Sequence, residues 1–150
     1  MSLNLRLKRD EDLEAYYRMA HAFHEFSPFS RLPLSEKKLK EIFDVVGEEI
    51  ILIFLTNDDK PVGMLLGIVN EPYFSEEKVA TELAWWVDPE FRKSKASLDL
   101  MYAFEDWAYR KGARTFTLAS LTGLSPPSVS KLYLGMGFEK TEETYMRSFI

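Results

Sequence analysis

With 150 residues, 46% of them hydrophobic and 29% charged, the chain has the length and mixture of one globular domain able to close a core by itself. Nineteen Lys and Arg against 24 Asp and Glu leave a net charge of −5, which argues against nucleic acid and anionic membrane as partners and favours a cationic one. The absence of cysteine removes thiol nucleophiles, thiolate metal sites and disulfides, no apolar run reaches a bilayer-spanning length, and the opening has no signal-peptide pattern, so the expectation is a single cytoplasmic domain over residues 1–150.

In chain order, Leu3, Leu5 and Leu7 alternate with Asn4, Arg6 and Lys8, which predicts a half-buried strand. Asp10 is placed to cap a helix whose apolar positions are Leu13, Tyr16, Tyr17, Ala20 and Phe23, running to about His24. The Ser27-to-Pro33 stretch breaks it; Ser35 then caps a second helix through Leu39, Ile42, Phe43 and Val46, ended by Gly47. Apolar runs at Ile50–Thr56 and Val62–Val69 flank the turn residues Asn57-Asp58-Asp59-Lys60, a β-hairpin pattern. Thr81–Val87 is a further strand, halted by Pro89, which has no N–H to give a sheet. A helix with Leu98, Met101, Tyr102, Glu105 and Ala108 follows before Gly112, and Thr115–Ala119 returns as a strand. Val129–Leu134 is a short helix stopped by Gly135 and Gly137, and Phe138 to the C-terminus fits a closing hairpin turning near Glu142-Glu143. The expected order is β-α-α-β-β-β-α-β-α-β-β, with no repeat or linker dividing it.

Chemistry concentrates where the Glu82-to-Val87 strand passes through a short loop into the next helix. A helix start presents unpaired N–H groups and the positive end of its dipole, so a phosphate is bound there by backbone, with Arg92, Lys93 and Lys95 adding charge. The same cations equally describe a solvated basic helix start with no ligand. His21 and His24 share a helix face beside Glu25, but no third ligand has fitting spacing, so they read as surface histidines and no metal is expected. Trp85 and Trp86 point to opposite faces of their strand, one to a core and the other to a cleft, in an order that a bulge would decide.

Val87-x-Pro89-x-x-Arg92, then Leu98 and Leu100 on the following helix, then Tyr133-Leu134-Gly135-Met136-Gly137-Phe138, resemble the GNAT acetyltransferases, and most nearly the small GNAT proteins of phages and prophages. In that family a strand ending in Val-x-Pro leads to Arg or Gln-x-x-Gly-x-Gly or Ala, and a later Tyr-x-x-x-Gly-Phe closes the site. The resemblance implies an α/β GNAT fold with a mixed, mostly antiparallel sheet between helices, acetyl-CoA as cofactor, and direct acetyl transfer to a primary amine of a small molecule, peptide or protein. It implies that Trp85 and Val87 pair through their backbone with the pantetheine arm, that Arg92, Lys93, Ser94, Lys95, Ala96 and Ser97 wrap the pyrophosphate, and that Tyr133 protonates the leaving thiolate. By the same resemblance Glu82 is the general base, and Glu25, Phe26, Phe29 and Arg31 contact the acceptor. Read without the family, Glu82 is an outward strand carboxylate and Tyr133 a core-edge aromatic. Lys95 and Ser97 stand where the family has loop glycines, and Pro126 where it often has Asn, with Ser125 and Ser128 nearby as substitutes. These departures support a rival reading, a GNAT-fold protein that has lost catalysis and serves as a binding or structural component, such as that of a phage particle. The reading leaves room for a homodimer.

Overall fold

In the computed structural model, which describes residues 2–121 and 128–150, β1 (Leu3–Leu7), β2 (Ile50–Asn57), β3 (Lys60–Asn70), β4 (Val79–Val87) and β5 (Thr115–Thr117) form one sheet in the spatial order of the chain. The first four strands pair antiparallel and β5 joins β4 in parallel. The β2–β3 hairpin turns on Asp58 and Asp59, at φ 51° and 67°. Two successive left-handed residues follow the twist of the strands they join, and Asp accepts that conformation better than most residues.

Helices α1 (Leu13–Phe26) and α2 (Glu36–Asp44) cover one face of the sheet, and α3 (Lys95–Arg110) covers the other. The alternation of β2 and β3 feeds both layers. Leu52, Phe54, Met64 and Leu66 pack under α1 with Tyr16 and Met19, while Ile51, Ile53, Leu55 and Leu65 pack under α3 with Leu100 and Phe104. A strand apolar on both sides, as β2 is, must lie inside such a sandwich.

Three expectations are corrected. The carboxylate that organises the start of α1 is Asp12, not Asp10: the chain enters through a 3₁₀ turn over Asp10–Asp12, and buried Asp12 accepts from the Arg9 N–H at 2.7 Å and from the Arg6 guanidinium at 2.7 and 3.0 Å. Arg6 reaches it from β1, so a tertiary ion pair selects the capping carboxylate. Helix α2 stops at Asp44, three residues before Gly47, whereas Ser35 caps it as expected by accepting from the Lys38 N–H at 3.2 Å. Residues 138–150 form no strand, so the closing hairpin is absent. There Lys140 pairs with Glu143, and Glu143 and Glu142 accept from the Tyr145 and Thr144 hydroxyls, local contacts that favour turns over a ladder.

Candidate active site

The site is an opening in the sheet. Strand β4 pairs with β5 only from Val79 to Thr81, and from Glu82 to Val87 it continues with no strand on that side among the described residues. A second irregularity sits at the same place: Leu66 opposes Ala84 but Gly67 opposes Glu82, leaving Leu83 as an extra residue on β4. The bulge reverses the facing of the strand. Beyond it, Ala84 and Trp86 pack on the α1 side; before it, Glu82 shares a face with Gly67, where an added Cβ would lie 2.3 Å from a Phe104 ring carbon of α3. Glu82 is thereby placed on the α3 face at the mouth of the opening. The bulge also assigns the tryptophans: Trp86 is buried, and Trp85 is half-buried against the α3 layer.

Across the opening stands α4 (Ser128–Gly135), which presents Tyr133. The Tyr133 hydroxyl donates to the Ala119 carbonyl at 3.1 Å, and the Ala119 N–H donates to the Glu82 carboxylate. One peptide segment just beyond β5 thus ties both side chains together. Burial pushes the Glu82 carboxyl up to about 7, with the Ala119 hydrogen bond opposing the rise. Burial, and then the Glu82 charge, raise the Tyr133 phenol above its usual value, so it stays protonated at neutral pH.

The Tyr-x-x-x-Gly-Phe pattern has a physical reading in how α4 ends. The Phe138 N–H donates to the Tyr133 carbonyl at 3.0 Å and the Gly137 N–H to the Leu134 carbonyl at 3.2 Å, with Gly137 at φ 91°. This is a Schellman cap, which takes glycine at the left-handed position and brings together the residues on either side of it. Phe138 accordingly packs on Tyr133 at 5.7 Å between ring centroids and on Phe116 of β5 at 5.2 Å, and Phe116 meets Phe104 at 6.0 Å. An aromatic ladder therefore runs from the α3 core to the candidate acid.

At the other end of β4 the side chains turn inward. Arg92 donates through Nε to the Val87 carbonyl at 2.7 Å and lays its guanidinium 4.6 Å from the Trp86 ring centre. Ser94 caps α3: its hydroxyl accepts from the Ser97 N–H at 3.3 Å and donates to the Phe91 carbonyl at 2.6 Å. Lys93 and Lys95 are exposed. What the first turn still offers, among the described residues, is the N–H groups of Lys95 and Ala96, which have no acceptor. Those two donors, the α3 dipole and the open β4 edge fit a pyrophosphate with an extended arm.

At the end of α1, Phe26 stacks on Trp86 at 6.1 Å and 9° and Glu25 is exposed, while Phe29 and Arg31 are exposed on the loop that follows. His21 bonds to Glu36 at 3.1 Å and His24 to the Leu32 carbonyl at 2.6 Å, so both histidines fasten that loop; no cluster of three metal-binding side chains exists among the described residues. Ser125 and Pro126 lie outside the described residues, and Ser128 begins α4. Two participants escaped the sequence reading. Ala119 acts through its backbone and leaves no trace in residue type. Asp88, which accepts from Trp86 Nε1 at 3.0 Å and from both Arg18 guanidinium nitrogens at 3.1 Å, was signalled only by its i+2 spacing from Trp86.

The fold is shared with known proteins. The chain resembles a Trypanosoma brucei acetyltransferase at 19% identity (99% of this chain, 100% of that one, TM-score 0.74) and a Bacillus halodurans transcriptional regulator at 22% (99% and 100%, 0.76). It also resembles the aminoglycoside N-acetyltransferase AAC(6')-Iy, solved with the bisubstrate analogue CoA-S-monomethyl-acetylneamine, at 18% (99% and 98%, 0.75). At such identities these likenesses show the fold, and they do not support the phage-type likeness. No curated protein matches by sequence. The acetyltransferase (GNAT) family model matches residues 13–138, from the start of α1 to the phenylalanine that closes the α4 cap, and by that match the chain belongs to the GNAT family.

Proposed function

We propose that this protein is an acetyl-CoA-dependent N-acetyltransferase acting on a primary amine in the cytoplasm, as a monomer or homodimer. The observation that carries the reading is the convergence of Glu82 and Tyr133 on Ala119 at the opening between β4 and β5. Acetyl-CoA supplies, when bound, an acetyl group on a sulfur that departs as thiolate. The Lys95 and Ala96 N–H groups hold the pyrophosphate and the β4 edge from Glu82 to Val87 aligns the arm. Glu82, with its carboxyl near neutrality, takes a proton from the acceptor ammonium directly or through one water, because only the free amine has a lone pair to form the C–N bond. The C–S bond breaks as that bond forms, the Tyr133 hydroxyl gives its proton to the departing sulfur, and the nitrogen, made cationic by bond formation, sheds its second proton to water to leave the neutral amide. The proton held on Glu82 is lost on product release and Tyr133 is reprotonated from solvent. No covalent acyl-enzyme forms, in keeping with the absence of cysteine.

The aminoglycoside enzymes among the similar structures make a small polyamine one acceptor class to assay, beside peptide and protein lysines. A catalytically degenerate binding protein is the second reading, favoured by one observation: Arg92 and Ser94 are engaged by the protein itself rather than held toward a ligand. Thermal denaturation with acetyl-CoA and with CoA tests the proposal, since a ligand bound only by the native state raises the midpoint as RT ln(1 + [L]/Kd). A rise with both ligands is expected. No shift with either, in a folded protein at millimolar ligand, removes the cofactor assignment.

A further inference from the structure

The loop between β3 and β4 presents two aromatic rings to solvent. Tyr73 is fully exposed and Phe74 is 74% exposed, and they meet edge to face at 5.2 Å between centroids and 86°, the one ring pair among the described residues in which both members are exposed. The loop is firmly framed. Asn70 and Val79 pair across its base, the Arg114 N–H donates to the Lys78 carbonyl at 2.8 Å, and the Ser75 N–H donates to the Pro72 carbonyl at 3.3 Å, so Tyr73 and Phe74 are the two central residues of a turn. Ser75 Oγ then accepts from the Glu77 N–H at 3.0 Å. Such a turn holds the rings out instead of letting them fold onto the sheet, and a fixed aromatic pair loses little conformational freedom when a partner covers it.

Charge selects the partner. Glu71, Glu76 and Glu77 flank the rings against one ammonium, Lys78; Glu77 lies 3.6 Å from the Arg114 guanidinium, whereas Glu71 and Glu76 pair with no cation among the described residues. An edge-to-face pair leaves ring faces open, the face of an aromatic ring attracts a cation, and among the described residues no cation of this chain lies over either ring. A second copy would bring like carboxylates together in a symmetric contact, and an anionic bilayer would be repelled by them. We propose that this turn is a docking site for a Lys- and Arg-rich segment of a protein partner, with cationic side chains over the open faces of Tyr73 and Phe74 and their neighbours on the segment at Glu71 and Glu76. The surface lies where β4 begins, beside Val79, and the phosphate-binding turn follows the strand's other end at Val87, so docking needs neither acetyl-CoA nor its site.

The test uses the full chain without acetyl-CoA and three fluorescein-labelled peptides followed by anisotropy: glycine alternating with arginine and lysine, with glutamate, and with glutamine. Only the basic peptide should bind. Tyr73→Ala combined with Phe74→Ala leaves the charge untouched and should weaken that binding about ten-fold, the combined effect of two exposed cation–π contacts, while Tyr73→Phe should bind like wild type. Glu71→Gln combined with Glu76→Gln should weaken it about three-fold and flatten its salt dependence. Glu14→Gln combined with Glu139→Gln, an equal charge change elsewhere on the surface, should do neither. Residues 71, 73, 74 and 76 are all exposed, so these variants keep the fold. No binding of the basic peptide at millimolar protein, equal binding of the glutamine peptide, or an unaltered affinity once both rings are removed overturns the proposal. So does a wild type that ignores the basic peptide yet self-associates in sedimentation, or floats with phosphatidylcholine vesicles, in a manner lost with the two rings.

Discussion

The two ends of the exposed β4 edge are built by opposite means. At the Glu82 end, side chains from β4 and α4 meet at the Ala119 backbone, and their withdrawal from water moves both proton affinities upward. At the Val87 end, the Arg92 and Ser94 side chains satisfy the protein, and among the described residues the Lys95 and Ala96 N–H groups are left without an acceptor. The difference separates chemistry from affinity. Proton transfer needs particular side-chain atoms at set positions, whereas an anion is held by any residues whose backbone forms the first helical turn. Replacement at the Glu82 end should therefore cost rate, and replacement at the Val87 end should cost little.

The largest effect is expected from Tyr133→Phe, which removes the hydroxyl and keeps the ring on Phe138. Turnover should fall by on the order of 10²-fold or more, with acetyl-CoA affinity nearly unchanged, as steady-state kinetics beside calorimetry will read. Unaltered turnover would reduce Tyr133 to a rung of the aromatic ladder.

Glu82→Gln should follow, at roughly 10-fold to 10²-fold in turnover. Because the base must be ionised, wild-type kcat/KM should rise with pH through about 7, and the variant should lack that limb. Stability runs the other way. A carboxyl held near 7 when folded but near 4.5 when unfolded favours the native state below the lower value and loses that advantage as pH climbs toward the higher one. Glu82→Gln should thus match wild type near pH 4 and exceed it at pH 8 by on the order of 2 kcal/mol in denaturant unfolding. A wild type whose relative stability holds flat across that window would mean Glu82 is solvated.

Smaller and purely structural is Gly137→Ala. Nothing lies within 4 Å of the added methyl, so the penalty comes from the left-handed backbone alone, about 1–2 kcal/mol by thermal unfolding. Loosening the cap lets Phe138 leave Tyr133, so turnover should drop along with stability while acetyl-CoA binding at the far end persists. Loss of binding instead would mean that the two ends are coupled.

How far the sequence discloses each end follows the same division. The alternation of Leu3, Leu5 and Leu7, the Ser35 cap and the Asp58-Asp59 turn each express local preferences, and each appears where expected. The Tyr133-to-Phe138 pattern was legible for the same reason, since a Schellman cap lies within one short stretch of chain. The Leu83 bulge, the Ala119 bridge and the choice of Asp12 over Asp10 depend on partners from other elements, and no local pattern encodes them. Arg92 is the instructive case: charge and spacing put it at the phosphate site, while its position beside Trp86 and the Val87 carbonyl depends on the strand it returns to.

The smallest effect is expected at Lys95, and it tests the affinity half of the comparison. Lys95 is the first residue of α3, exposed, and occupies a position where the family carries glycine. Its backbone N–H, one of the two without an acceptor, survives replacement by any residue except proline. Its ammonium is screened by solvent and salt, so it adds a weak, ionic-strength-dependent attraction to a pyrophosphate. Lys95→Gly deletes that charge and keeps the donor. If the backbone holds the anion, acetyl-CoA affinity should fall by less than about three-fold, and the variant should lose only a shallow salt dependence. A tenfold loss, with steep salt dependence in the wild type, would mean that the lysine charge has replaced the close approach of a glycine backbone. A gain in affinity would mean that the side chain obstructs the turn, the behaviour of a site in decay.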